Sequence, residues 1–167
     1  MKNLLFLLFF CLLINEARSQ ELDFKIRTSM GFINGPDTKK GVSTNIGIEY
    51  QPIKYLGIEL GFENWYRYTD ESASDTNTGS SLILHGYPIN FKGNTIDVFA
   101  GYGYNINYWR YVTGGIGRWF YWAPLYGAGY YYSFRRFNMG IVYQKQLFKG
   151  PINNENSQFL ISFVKHF

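Results

Sequence analysis

A chain of 167 residues with a formal net charge of +4 is too mildly basic to imply a nucleic-acid partner. Its one cysteine, Cys11, leaves no disulfide framework and no thiolate metal site, and nothing in the composition calls for a cofactor. Fifteen Tyr, fifteen Phe, four Trp and eighteen Gly favour strands with close backbone contacts over helices.

The first element is Lys2 followed by an apolar run from Leu4 to Ile14, then Asn15-Glu16 and the small-residue segment Ala17-Arg18-Ser19. The run is about 11 residues, against the roughly 20 needed by a transmembrane helix, so residues 1–19 are expected to be a signal peptide cut after Ser19. A lipoprotein signal fits less well, because Phe9-Phe10 precede Cys11 where small residues are needed. Residues 20–167 then form one domain without cysteine, of net charge +3 once Lys2, Glu16 and Arg18 leave.

From residue 21 onward the apolar residues recur with period two, the mark of strands. Leu22, Phe24, Ile26, Thr28, Met30 and Phe32 face one way, and Asp23, Lys25, Arg27 and Ser29 the other. After the turn-rich INGPDTKKG, Val42 to Tyr50 repeat the pattern, and QPIKY makes a short turn into a third strand, Leu56 to Tyr68. The stretch TDESASDTNTGS reads as a long acidic loop. A fourth strand, about 81 to 91, changes parity between Leu84 and Tyr87, which a bulge near His85-Gly86 would reconcile. KGNT leads to strand five, from about 96 to 112, and the glycine-rich TGGIG to strand six, from about 118 to 133. Strand seven carries Phe137, Met139, Ile141, Tyr143 and Leu147, and after FKGPINNENS a last strand carries Phe159, Ile161, Phe163 and Phe167. Eight strands joined alternately by longer and tighter connections predict an all-β, eight-stranded antiparallel up-and-down barrel.

Which face is inside decides between a soluble barrel and a transmembrane one. The apolar face carries too many rings for the interior of an eight-stranded barrel, which is barely wide enough for its own side chains. Gly31, Gly47, Gly57, Gly61, Gly101 and Gly103 share the parity of the charges, where a narrow lumen needs room beside Glu, Lys and Arg. Aromatics gather at strand ends: Tyr66, Tyr108, Phe120, Trp122 and Phe159 toward one rim, Tyr50, Phe91, Tyr130, Tyr132 and Phe137 toward the other. Two such girdles around an aliphatic band predict a lipid-facing exterior and a charged lumen. Pro88 and Pro124 lack a ladder donor, so bulges are expected there, while Lys145 and Lys165 share the outward parity near strand ends, where long side chains reach the interface.

The terminal FLISFVKHF resembles the C-terminal signal read by the outer-membrane insertion machinery, with Phe163 and Phe167 as its aromatic positions, and YPINFKGNTIDVFAGYGYNI is similar to the middle of the small porin-like outer-membrane β-barrel family. That resemblance implies a protein integral to the cell outer membrane of a Gram-negative bacterium, with termini in the periplasm and longer loops at the cell surface; a monomer is expected. Outer-membrane lipid, lipopolysaccharide and the insertion machinery are then its partners.

Three candidate sites stand out. Lys25, Arg27, Glu49, Glu59, Glu63 and Arg67 share the inward parity and are expected to neutralise one another in a plugged lumen, because buried charges need partners. An acid pair for catalysis fits less well, since residues four apart on a strand lie roughly 13 Å apart. Strands five and six exceed the 9 to 11 residues that span a bilayer, so Trp109, Arg110, Tyr111, Arg118, Trp119 and Tyr121 are expected to ring a projecting hairpin, either anchoring the upper aromatic girdle or forming a surface contact for a protein, glycan or lipopolysaccharide. Ser162 and His166 share a face, but the His-x-Ser pattern of outer-membrane deacylases is absent: His85 is followed by Gly86-Tyr87. The expected function is therefore a non-enzymatic structural or adhesive barrel, with a passive pore and a lipid-modifying enzyme as alternatives.

Overall fold

In the computed structural model the described residues are 23–35, 40–68, 74–110, 115–135, 137–148 and 154–167; the expected signal peptide lies outside them. Eight strands follow in chain order: β1 (Asp23–Asn34), β2 (Lys40–Ile53), β3 (Leu56–Tyr68), β4 (Ser74–Phe91), β5 (Asn94–Arg110), β6 (Ile116–Phe134), β7 (Phe137–Phe148) and β8 (Asn154–His166). Each pairs antiparallel with its neighbour and β1 pairs with β8, closing the barrel.

The period-two pattern sets the register because a slip of one residue would turn every side chain to the other face. Outward go Phe32 at 70% exposure, Ile141 at 66% and Ile46 at 52%; inward go Glu49, Asp97 and Gln158, each at 0%. Apolar residues outside and ionised ones inside make a lipid-facing surface, since water would oppose that arrangement. Rings cluster at both ends of this surface. Phe24 lies 5.3 Å from Tyr50 and Tyr132 4.8 Å from Phe134 toward the rim of the tight turns and termini. Tyr104 lies 5.0 Å from Trp122, and Tyr143 5.0 Å from Phe159, toward the opposite rim.

Several local expectations are revised. The stretch expected as a long acidic loop is strand from Ser74 onward, paired with both β3 and β5. It is polar on both faces because it runs past the apolar belt, so the lipid pattern that marks the other strands does not apply to it. The fourth-strand irregularity falls between Gly86 and Ile89 rather than at His85-Gly86, so Tyr87 turns inward while Ile89 and Phe91 face out. Pro88 sits in that irregularity, as a residue without a donor requires. Pro124 needs no bulge: the β5–β6 register is continuous through it, and the β6–β7 ladder ends one residue away, at Leu125↔Gln146.

The lumen is also less uniformly polar than the pattern suggests. Ile83, Phe99, Leu125, Tyr131, Val142, Leu160 and Val164 form a buried apolar cluster inside the barrel. They come from β4 to β8, whereas most lumenal charges come from β1 to β3, so one side of the interior packs as oil and the other as ion pairs.

Candidate functional site

The centre of the lumen is organised by Arg27 on β1. Its Nη2 lies 2.9 Å from Glu49 Oε2, its Nε 2.9 Å from Glu59 Oε2 and its Nη1 3.3 Å from Asp97 Oδ2. A planar guanidinium with five donors is suited to reach three carboxylates at once. Arg27 also donates to the Tyr131 hydroxyl, and Tyr87 donates its hydroxyl proton to Glu49. Lys25 Nζ stands 3.4 Å from Glu49 Oε1 and 4.6 Å from the centre of the Tyr87 ring. His85 closes the cluster, with Nδ1 3.0 Å from Asp97 and Nε2 3.2 Å from Glu59. All these side chains are buried.

Glycine makes the crowding feasible. A Cβ at Gly47 would come within 2.3 Å of Glu59 Oε1, and one at Gly57 within 2.2 Å of Glu49 Oε1. Both glycines lie where the sequence pattern asked for lumenal space.

Two voids flank the plug. A cavity of about 340 Å³ opens at the rim of the termini, lined by Asp23, Lys25, Lys54, Asn138 and His166 among others. On the other side of Arg27 lies a void of about 30 Å³ beside Ser29, Asn45, Glu63 and Gln144, space for about one water molecule. Above it the lumen is a lattice of polar bonds: Ser29 to Ser162 at 2.9 Å, Ser43 to Gln158 at 2.9 Å, Asn77 to Asn105 at 3.0 Å.

The six lumenal charges expected to neutralise one another do so only in part. Lys25, Arg27, Glu49 and Glu59 meet. Glu63 does not join them; Gln144 Nε2 donates to it at 3.1 Å, and no cation reaches it among the described residues. Four residues beyond Glu59 on β3, it lies too far along the axis to reach Arg27. Arg67 sits higher still, 3.1 Å from Asp75 Oδ2 and 2.7 Å from Asn156 Oδ1, with its guanidinium 4.4 Å from the centre of the Trp65 ring. His85, Tyr87, Asp97 and Tyr131 were the members missed. Asp97 and Tyr131 lie on the inward parity of β5 and β6, but which strands face one another across the lumen is invisible in a local pattern.

The expected tip cluster is divided by the same parity. Arg110 and Arg118 are exposed and face outward, Arg118 over Phe120 at 5.1 Å. Trp109 and Trp119 are half-buried and face inward, and Tyr121 is buried, donating to Asn77 Oδ1 at 2.9 Å and packing on Trp119. Tyr121 is therefore a lumenal residue rather than a surface contact, because odd positions of β6 point into the barrel. Tyr111 lies outside the described residues. Ser162 and His166 likewise keep separate partners: Ser162 bonds Ser29, and His166 stands at the rim 3.6 Å from Asp23 and 3.1 Å from Asn138.

Glu49, Glu59 and His85 bring potential ligand atoms within 4.8 Å of one another. Arg27 and Lys25 already stand against these carboxylates, so the arrangement is that of an ion-pair lock rather than a metal centre.

No known protein family and no curated protein matches the sequence. Solved structures do match. The chain superposes on Neisserial surface protein A with a TM-score of 0.73 at 12% identity, covering 86% of this chain and 97% of that one. It has the fold of the small eight-stranded outer-membrane barrels. Ail, the attachment invasion locus protein of Yersinia pestis, crystallised with the heparin analogue sucrose octasulfate, gives 0.63 at 13% identity, covering 89% and 100%. OprG of Pseudomonas aeruginosa gives 0.55 at 15%, covering 89% and 97%. Within this barrel fold the described residues place the plug near the rim of the termini and lengthen β4, β5 and β6 toward the other rim.

Proposed function

We propose that this protein is an integral outer-membrane barrel with a structural lumen and a surface-binding role, its termini in the periplasm and its long β4–β6 sheet at the cell surface. One observation carries the reading. Among the described residues, Ile116–Pro124 of β6 pairs only with β5, because the β6–β7 ladder stops at Leu125↔Gln146. Nine residues of strand reach roughly 30 Å at 3.3 Å per residue, and Ser74 to Ser80 on β4 face outward with Ser and Thr rather than apolar residues. Such a sheet suits water, not lipid. Its outward cations, Arg110 and Arg118, lie on paired strands just above the Tyr104, Phe120 and Trp122 rings, a setting for the phosphates or sulfates of an anionic glycan, lipopolysaccharide included.

The test is retention of proteoliposomes on a heparin surface and on a lipopolysaccharide-coated one. Arg110→Glu with Arg118→Glu is expected to abolish retention while the barrel still forms; equal retention of wild type and double variant rejects the role. A passive pore is the second reading. The Arg27 plug between the two voids argues against it, and stepwise conductance in planar bilayers would support it.

A further inference from the structure

We propose that His85 is a permanent cation, an imidazolium that completes the charge balance of the lumenal plug. Both ring nitrogens face carboxylates: Nδ1 lies 3.0 Å from each Asp97 oxygen, and Nε2 3.2 Å from Glu59 Oε2. An ionised carboxylate only accepts. A neutral imidazole has one N–H and one bare nitrogen, so in either tautomer a bare nitrogen would stand 3.0 or 3.2 Å from a carboxylate oxygen, although only the Nδ1–Asp97 contact is aligned as a hydrogen bond. Two ring protons remove the conflict.

The charge count leads to the same state independently. Around the ring stand Glu59 from β3, Glu49 from β2, Asp97 from β5, Lys25 and Arg27 from β1, with the Tyr87 hydroxyl from β4 and that of Tyr131 from β6. Three carboxylates face two fixed cations, and every one of these side chains is buried. A net negative charge closed inside a barrel is costly; His85 as a cation makes the cluster neutral. Phe99, 5.4 Å from the His85 ring, and Tyr87, stacked at 6.2 Å, shield it from the rest of the lumen. His85 is thus the keystone that holds Glu59 to Asp97, which Arg27 binds from its other side.

Nitrogen-15 spectra of the histidine-labelled barrel in lipid nanodiscs test this directly. The chain has two histidines, so a His166→Gln variant assigns them. At pH 7.5 His85 is expected to show two protonated ring nitrogens of similar shift, unchanged by zinc ions. A neutral ring, with one protonated and one bare nitrogen, overturns the proposal, as does a zinc-bound nitrogen. A second measurement uses the heat-dependent gel shift of the barrel. Asp97→Asn is expected to lower the unfolding midpoint in the wild-type background and to raise it in the His85→Gln background, where it restores neutrality. The same sign in both backgrounds contradicts a charged His85. Should His85→Gln fail to assemble, the spectra of the wild-type protein still decide.

Discussion

Replacing Arg27 by Met is the sharpest perturbation of the plug. Methionine matches the arginine stem as far as Nε, so packing of the stem is largely kept while the guanidinium is lost. Three carboxylates within 3.3 Å of Arg27 then lose that partner; Glu49 retains Lys25, and Glu59 and Asp97 retain His85 as their one ionic partner among the described residues. Removing one side of a buried ion pair costs about 3–5 kcal/mol, equivalent to roughly two to four powers of ten in the folded-to-unfolded ratio. Urea unfolding of the barrel in phospholipid vesicles, followed by Trp fluorescence and by the gel shift of unboiled samples, measures this loss. Arg27→Lys should fall between, because a single ammonium keeps the charge but cannot span three carboxylates. An Arg27→Met barrel as stable as wild type would refute the reasoning, since the cluster would then hold without its central cation.

Other outcomes follow from the same structure. Gly47→Ala places a methyl 2.3 Å from Glu59 Oε1, and overpacking of this kind costs about 1–3 kcal/mol; the unfolding midpoint of the vesicle-embedded barrel reports it. Ile46→Arg puts a charge in the middle of the outward belt of β2, where lipid exposure costs about 2–4 kcal/mol, whereas water would tolerate it; the vesicle unfolding free energy distinguishes the two. Phe167 is exposed and its backbone N–H bonds Phe24 O at 3.0 Å. Phe167→Ala is expected to leave the purified barrel stable but to lower the fraction reaching the heat-resistant form in cells, as an insertion signal would.

The barrel itself was legible in the sequence because a strand between lipid and a lumen must alternate, and every strand from β1 to β8 repeats that constraint over its membrane-crossing part. The same alternation puts Lys25, Arg27, Glu49, Glu59, Glu63 and Arg67 on one face, and all six side chains are buried. Where strands leave the lipid, the constraint disappears and so does the signal: Ser74–Ser80 read as a loop although its backbone is fully laddered, and Tyr121 passed for a surface residue although its parity pointed inward.

What the sequence determined by itself was therefore the period, and with it the sheet, the strand count and the choice of face, since these depend on neighbours one and two residues away. What only the tertiary structure decided was which inward groups meet. Barrel closure and stagger bring Arg27 of β1 against Asp97 of β5 and His85 of β4, and leave Glu63 among glutamines four residues from Glu59 on the same strand. Contacts across a lumen depend on strand tilt and relative height, quantities fixed by hydrogen-bond register around the whole ring, and no local stretch of chain encodes them.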